Sequence, residues 1–225
     1  MALFSSLRGY QGPLPLFPLP NVVLFPHNFL PLHVFEPRYK QMVKETVEAD
    51  GLVGIVLLKP GWKEDYYGNP PIFEMACMGQ IARVDELSEG RYNILLHGLK
   101  RAKITRIESN RPYRRAKVQL FDEPEDSALK QTRLRKELFD SFSRALHSPS
   151  WGFTVFSAPH LDVGIMTDFI ASALPCELQD KQTILEAVYL EERVYALIKL
   201  LEKEIAKGRR LRIRNLPFIH DLAVS

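Results

Sequence analysis

Positions 30–39 read Leu-Pro-Leu-His-Val-Phe-Glu-Pro-Arg-Tyr, and this stretch indicates where a strand ends and a helix begins. The run from Leu30 to Phe35 is short and mostly apolar, which predicts a strand. Pro37 suits the first position of a helix, because the N–H group that proline lacks would have no partner there. Apolar residues then recur at helical spacing, so an amphipathic helix is predicted over residues 37–49, with Asp50 and Gly51 ending it.

Two apolar runs that contain prolines precede this stretch, at residues 14–20 and 22–26. Proline cannot donate to the hydrogen-bond ladder of a sheet, so strands in these runs must be short or lie at an edge. Residues 52–58, in contrast, are almost wholly apolar and rich in β-branched side chains. This composition fits a central strand that is buried on both faces.

Further strands are predicted downstream, mostly in hairpin order. A strand over residues 73–84, bent at Gly79, is followed by a turn at 88–90 and by a partner strand over 91–97. Two more strands are expected at 102–107 and 113–121. Six or more short strands with one helix favour a small, partly closed barrel, because closure limits the exposed sheet edges.

The pattern becomes helical after residue 121. Residues 122–127 are acidic and contain a proline, which is typical of a linker. Amphipathic helices that would pack as a bundle are then predicted at about 129–146, at 162–174 with Asp162 as the cap, and at 179–207. The sequence therefore predicts an α+β protein with three parts: a β-rich domain at 13–121, a helical subdomain at 128–207 and a basic tail at 208–225.

Composition places the chain among ordinary globular proteins. Its 225 residues are 46% apolar and 25% charged. No stretch approaches the roughly 20 apolar residues needed to span a bilayer, and the first residues show no signal-peptide pattern. The two cysteines, Cys77 and Cys176, match no zinc-ligand spacing. A cytoplasmic protein without a membrane partner is therefore expected.

Positive charge is concentrated at the C-terminal end. From Lys207 onward there are five basic residues and one acidic residue, whereas the first 206 residues hold 25 basic and 26 acidic ones. A nearly neutral body argues against a dedicated nucleic-acid-binding protein. We interpret the segment from Lys207 to Arg214 as a solvated tail. The alternatives are contact with nucleic acid or an acidic partner, or docking through its interleaved apolar residues.

Four more short motifs follow positions 30–39 in order, at residues 78–84, 90–99, 174–175 and 181–186. The first of them, Met-Gly-Gln-Ile-Ala-Arg-Val, is similar to a Gly-x-x-Ala-x-Ile segment, and the second to the hairpin that follows it. Together with residues 13–39, these motifs resemble the N-terminal substrate-recognition domain of Lon proteases. The resemblance extends over residues 13–206.

The resemblance implies a PUA-like six-stranded β-barrel with one helix, followed by a C-terminal helical bundle. It also implies a binding module for unfolded or degradation-marked polypeptide, with a protease or a chaperone as further partners. A full Lon protease continues into an ATPase and a serine–lysine protease, yet the phosphate-binding motif Gly-x-x-x-x-Gly-Lys-Ser/Thr does not occur in this sequence. We therefore expect a stand-alone module that is not an enzyme and needs no cofactor.

Motifs for other chemistry are missing from the sequence. Gly-x-Ser-x-Gly, His-Glu-x-x-His and Gly-x-Gly-x-x-Gly do not occur, and no two of the six histidines stand at i and i+4. No catalytic or metal-binding residue is therefore predicted. RNA binding through a PUA-like barrel is the alternative function, and a hydrolase with an unrecognised site is a third.

Aromatic residues in two loops are the predicted peptide-binding residues. Trp62, Tyr66 and Tyr67 lie in a loop, residues 59–71, that is rich in glycine and proline, so complete burial of all three rings is difficult. Exposed aromatic side chains offer a large contact area to a peptide. The alternative is that the loop folds back and buries them. Trp151 and Phe153, between two predicted helices, receive the same interpretation.

Two charged residues, Glu36 and Arg38, flank Pro37 at the predicted helix start. A carboxylate at this position is interpreted as stabilising the unpaired N–H groups and the positive end of the helix. Binding to a partner is the alternative role for this pair.

Overall fold

The structure is a computed structural model that describes Leu7, Tyr10 and residues 12–66, 68–108, 112–122, 127–146 and 162–207. It divides into two compact units, Met1–Asp122 and Glu123–Ser225. Among the helices of the described residues, none is long and apolar enough to cross a membrane. The predicted basic tail at 208–225 lies outside the described residues.

The described residues of the first unit form six strands and one α-helix: β1 (Leu14–Leu19), β2 (Phe29–Val34), α1 (Pro37–Val47), β3 (Leu52–Leu57), β4 (Met75–Glu86), β5 (Tyr92–Glu108) and β6 (Arg115–Phe121). The predicted change from strand to helix at positions 30–39 is confirmed, with Pro37 in the first turn of α1. The predicted double-sided burial of β3 is also confirmed, because all six of its residues are buried.

The six strands form one mixed sheet in the order β2-β5-β4-β3-β1-β6. Only β1 and β3 pair in parallel, and β6 pairs both with β1 and with β5. The pairings therefore return to β5 through β4, β3, β1 and β6, while β2 is attached to β5 outside this cycle. A sheet of six strands was predicted correctly, and its finer assignment as a PUA-like barrel stays a prediction.

Two of the strand predictions were wrong in detail. Residues 91–97 and 102–107 belong to one 17-residue strand, β5, rather than two. The apolar run at 22–26 is not a strand, although Val23, Leu24 and Phe25 are buried. Pro20 shortly before this run and Pro26 at its end restrict its pairing, and its backbone instead lies against Gly98. A Cβ atom at Gly98 would stand 2.2 Å from the carbonyl oxygen of Phe25, so only glycine permits this approach.

The core of the first unit lies among the strands that form the cycle. It contains small and large apolar side chains from all five of them, including Leu16, Val56, Met78, Leu99 and Ala116. Helix α1 buries Tyr39, Met42 and Val43, which fits its predicted amphipathic pattern. The ring of Tyr39 lies 4.3 Å from the ring of Phe17 on β1, measured between centroids. Burial of these side chains fixes the start of α1 against the sheet.

The second unit is helical and contains α2 (Ala128–Ala145), α3 (Val163–Ala173), α4 (Leu178–Glu186) and α5 (Leu190–Ala206). The predicted cap of α3 is confirmed, since the Asp162 carboxylate accepts a hydrogen bond from the Gly164 N–H at 2.6 Å. Buried leucines of α2 and α5 supply much of the apolar interior: Leu134, Leu138, Leu197, Leu200 and Leu201.

The single helix predicted at 179–207 was wrong, because the chain leaves the helical path between α4 and α5. Arg193, which is completely buried, donates to the carbonyl oxygens of Ala187 and Val188 at 3.3 and 3.1 Å. It also pairs with the buried Asp168 carboxylate at 3.5 Å. The guanidinium thus satisfies carbonyl groups that a continuous helix would have paired internally.

Candidate functional site

The loop between β3 and β4, residues 59–71, carries the predicted aromatic residues, and we call it the aromatic loop. Its ends are joined by a hydrogen bond from the Lys59 N–H to the Pro71 carbonyl at 2.8 Å. A single 3₁₀ turn, Trp62–Asp65, begins after Gly61, whose positive φ of 88° favours glycine. The aromatic loop is therefore folded on itself rather than extended.

Tyr66 fastens the aromatic loop to the start of α1. Its hydroxyl donates to the Glu36 carboxylate at 2.7 Å, and its carbonyl accepts from the Arg38 guanidinium at 3.2 Å. Arg38 also donates to Glu36 at 3.2 Å. Tyr66 thus forms one hydrogen-bonded cluster with two residues that lie 28 and 30 positions before it in the sequence.

The expected role of Glu36 therefore needs correction. Glu36 is the N-cap residue of α1, but its side chain makes no capping hydrogen bond. Its carboxylate instead accepts hydrogen bonds from the phenol of Tyr66 and the guanidinium of Arg38. This carboxylate connects the helix to the aromatic loop, which is a tertiary contact that local sequence does not encode.

Trp62 and Tyr66 keep part of their surfaces exposed. Their ring centroids lie 5.5 Å apart with the planes tilted by 59°. The ammonium group of Lys63 stands 5.8 Å from the Trp62 ring centroid. Both aromatic residues are half-buried, so the aromatic loop neither hides them completely nor leaves them free.

Beside Tyr66 lies a cavity of about 540 Å³, which we call the arginine cavity. Its walls come from the start of α1, the aromatic loop and the segment that leads into β6. Two arginines, Arg38 and Arg114, contribute to its lining. Apolar walls are formed by Leu58, Ile72, Ile107, Pro70, Pro71 and Pro112.

Arg114 holds the far end of the aromatic loop. Its guanidinium donates to the Pro70 carbonyl at 2.7 Å and to the Asn69 side-chain oxygen at 3.3 Å. The second half of the aromatic loop is thus hydrogen-bonded to arginines at two points, to Arg38 at Tyr66 and to Arg114 at Pro70. This arrangement orders the cavity wall before any ligand arrives, which lowers the entropic cost of binding.

The protonation states of the site follow from these contacts. The hydrogen bond to Glu36, assisted by burial, raises the pKa of Tyr66 to about 12. Burial raises the pKa of Tyr39 and lowers the pKa of Arg114. Near neutral pH both phenols are protonated, and arginines keep their charge in proteins. The two arginines that line the cavity are therefore positively charged.

The structure brings only some of the sequence-predicted residues into this site. Trp62 and Tyr66 are in contact, whereas Tyr67, Trp151 and Phe153 lie outside the described residues. Sequence reasoning missed Tyr39 and Arg114 as residues of a site. Tyr39 had been recognised only as part of a helix face, and Arg114 had no distinguishing local pattern.

Metal chemistry finds no support in the part of the chain that the structure describes. No group of three or more histidine, cysteine, aspartate or glutamate side chains there is arranged to hold a metal ion.

Solved structures share this fold. One is the Lon N-terminal domain protein from Xanthomonas campestris, with a TM-score of 0.61, 20% identity, and coverage of 84% of this chain and 98% of that one. Another is the N-terminal domain of the Mycobacterium avium complex Lon protease, with a TM-score of 0.64, 16% identity, and coverage of 85% and 98%. The fold is thus that of a Lon N-terminal domain.

Sequence comparison gives the family. Residues 13–203 match the model of the ATP-dependent protease La (LON) substrate-binding domain, and the chain belongs to this family. It is 28% identical over 218 residues to the Lon protease of Buchnera aphidicola subsp. Schizaphis graminum, and 29% identical over 209 residues to that of Heliobacterium modesticaldum. These matches cover 94% and 91% of this chain but only 28% and 26% of the relatives, so the chain spans about a quarter of their length.

Proposed function

We propose that this chain binds polypeptide substrates through the aromatic loop and the arginine cavity of its first unit, and that it does so without cleaving them. The family supports this proposal, since its description is a substrate-binding domain. One observation carries the choice of site: Tyr66, which lines the cavity, is hydrogen-bonded to Glu36 and Arg38, and its ring lies 5.5 Å from that of the half-buried Trp62.

This geometry has the properties that a polypeptide-binding site requires. Partly exposed tryptophan and tyrosine side chains are frequent anchors of protein interfaces, because they bury much area while losing few rotamers. The aromatic loop is held in place by hydrogen bonds, so less order has to be created on binding. The cavity adds apolar walls together with two arginines, and arginine is also enriched at interfaces.

Fluorescence anisotropy tests the proposal directly. A labelled, permanently unfolded polypeptide is titrated with the protein, while its folded form and an RNA oligomer serve as competitors. We expect binding that the folded form and the RNA do not displace. Polypeptide recovered after incubation with and without ATP should be intact by mass spectrometry. Displacement by RNA alone, or cleavage that one point substitution abolishes, would contradict the proposal.

The site assignment is tested by Trp62→Ala. Loss of an aromatic anchor should weaken binding at least about tenfold, the size of effect seen at interface hot spots. Tyr189→Ala is a matched control, because Tyr189 is 66% exposed and belongs to the second unit. Both variants should unfold at the denaturant concentration of the parent protein. Equal affinities of the two variants would move the binding site away from the aromatic loop.

A further inference from the structure

We propose that the arginine cavity binds the C-terminal carboxylate of a polypeptide, held between Arg38 and Arg114. This inference rests on the proposed function and specifies which part of the substrate enters the cavity. The observations that carry it are the charge of the cavity, its unused hydrogen-bond donors, and its size and apolar walls.

The lining of the arginine cavity is electrostatically unbalanced. It includes two guanidinium groups, and none of the described residues that line it is an aspartate or glutamate. Glu36 pairs with Arg38 but is not among the residues that line the cavity. Arg114 has no carboxylate within ion-pair distance in the described part of the chain. An anion would therefore be attracted into this space.

Both arginines keep donors available for such an anion. Arg38 uses its Nε and one Nη atom for Glu36 and the Tyr66 carbonyl. Arg114 likewise uses Nε and one Nη atom, for Asn69 and Pro70. Among the described residues, the second Nη atom of each has no hydrogen-bond partner. Guanidinium groups bind carboxylates with short, charge-assisted hydrogen bonds, and two of them can hold one carboxylate from both sides.

Partial burial of Arg114 favours the binding of an anion in the arginine cavity. Burial lowers the pKa of Arg114, and the nearby charge of Arg38 acts in the same direction. The charges of Tyr39 and Asp65 act in the opposite direction, so the hydration that Arg114 loses on burial is only partly compensated. A bound carboxylate would supply a directly paired negative charge where the interaction is screened less than in bulk water.

The size and the walls of the cavity favour the end of a bound polypeptide over an internal segment. A volume of about 540 Å³ is typical of a site for a small ligand, and is too small for a long polypeptide segment. Its walls of proline, leucine and isoleucine offer apolar contact to the last side chains. Ile107, which is 46% exposed, stands among the lining residues and would lose exposed area on binding. Beyond the cavity, the chain would pass Tyr66 and its neighbour Trp62.

The experiment compares peptides that differ only at their ends. Two short fluorescein-labelled peptides share one sequence with apolar final residues, and one ends in a free carboxylate whereas the other ends in an amide. A third peptide also ends in an amide but has a glutamate inserted before the end. Anisotropy titrations use the full chain, with the permanently unfolded polypeptide measured in parallel. We expect the free acid to bind at least about tenfold more tightly than both amides.

Arginine variants then locate the contact. Arg114→Gln should remove the preference for the free acid, while Arg83→Gln, which changes an exposed arginine of the same unit, should keep it. Circular dichroism checks that both variants are folded. If Arg114→Gln does not fold, the comparison of acid and amide on the parent protein still decides the question.

The outcomes separate the two proposals. Equal binding of acid and amide, alongside binding of the unfolded polypeptide, would overturn the carboxylate site and leave the proposed function intact. Tight binding of the glutamate peptide alone would show that the cavity binds a side-chain carboxylate instead, which also overturns the inference. Displacement of the free acid by RNA would show that the arginines bind phosphate rather than a carboxylate, which likewise overturns the inference. Failure of every peptide and of the unfolded polypeptide to bind would refute the proposed function itself.

Discussion

The two units of this protein use arginine in opposite ways. In the second unit, Arg193 is completely buried, pairs with Asp168 and donates to two backbone carbonyls at the break between α4 and α5. In the first unit, Arg114 is half-buried, holds the aromatic loop through Asn69 and Pro70, and faces a cavity. The same side chain serves the fold in one place and is available to a ligand in the other.

The difference between the two arginines lies in their partners rather than in their burial alone. A buried guanidinium is tolerated when a carboxylate and carbonyl oxygens replace the water that it loses. Arg193 has such a set of partners, so its position is explained by folding. Among the described residues, Arg114 has acceptors but no carboxylate within ion-pair distance, and Asp65 acts on it only from further away, so folding explains only part of its environment. The lack of a directly paired carboxylate is what distinguishes this candidate binding residue from a structural one.

The largest expected effect comes from breaking the buried pair. Asp168→Ala would leave the Arg193 charge buried without its carboxylate, which typically costs about 3–5 kcal/mol of folding free energy. Denaturant unfolding followed by circular dichroism measures this loss. Arg133→Ala is the control, because it removes an exposed pair with Glu191 and should cost less than about 1 kcal/mol.

The same variant tests whether the two units have separate roles. Asp168→Ala should bind unfolded polypeptide with parental affinity as long as the first unit is folded. A loss of stability no larger than that of Arg133→Ala would contradict the structural role given to Arg193. A loss of binding at full stability would mean that the second unit contributes to the site.

The strand and helix at positions 30–39 could be predicted because their signals are local. Pro37 fixes both the end of the strand and the first turn of the helix, whatever packs against them. The break between α4 and α5 could not be predicted in this way. Residues 187–189 are Ala-Val-Tyr, which contain neither glycine nor proline, and the break depends on a buried side chain further along the chain.

The candidate site was predictable to a similar extent. Aromatic residues in a loop rich in glycine and proline could be recognised as unusual, and the structure places Trp62 beside Tyr66. The contacts that make this pair a site connect residues about 30 and 44 positions apart, such as Tyr66 with Glu36 and Arg114 with Pro70. Their formation depends on the fold, because no local pattern brings them together.

A smaller effect is expected from Tyr66→Phe, which removes only the hydroxyl that donates to Glu36. The free energy of unfolding should fall by about 1 kcal/mol, the usual contribution of a partly exposed hydrogen bond. Affinity for unfolded polypeptide should fall several-fold, because the aromatic loop would have to be ordered on binding. Denaturant unfolding and anisotropy measure the two quantities.

A matched control exists for this substitution in the second unit. Tyr195 also donates to a carboxylate, that of Glu137. Tyr195→Phe should leave polypeptide affinity unchanged. If both variants bind like the parent protein, the order of the aromatic loop is not what limits binding, and the contrast between a structural unit and a binding unit is weakened.

The smallest effect is expected in an alkaline titration of Tyr66 in the aromatic loop. The pKa of Tyr66 is raised to about 12, first because its hydroxyl donates to Glu36 and second through burial, whereas a free tyrosine titrates near 10. A pKa that is higher in the folded state gives stability that is fully present below pH 10 and is lost as the pH rises toward 12. Trp62 reports this locally, because a tyrosinate in contact with an indole quenches its fluorescence.

The measurement uses Trp151→Phe, which leaves Trp62 as the single tryptophan of the chain. Quenching should have its midpoint well above pH 10, and Glu36→Gln should move the midpoint down, because the carboxylate is the first cause of the raised pKa. Tyr10, whose pKa burial also raises to about 12, lacks this dependence on Glu36 and serves as an internal reference in the absorbance of all tyrosines. A midpoint near pH 10 in both proteins would mean that the hydroxyl of Tyr66 is not bonded to Glu36. The aromatic loop would then lose its attachment to α1, and with it the order that makes Trp62 a credible anchor.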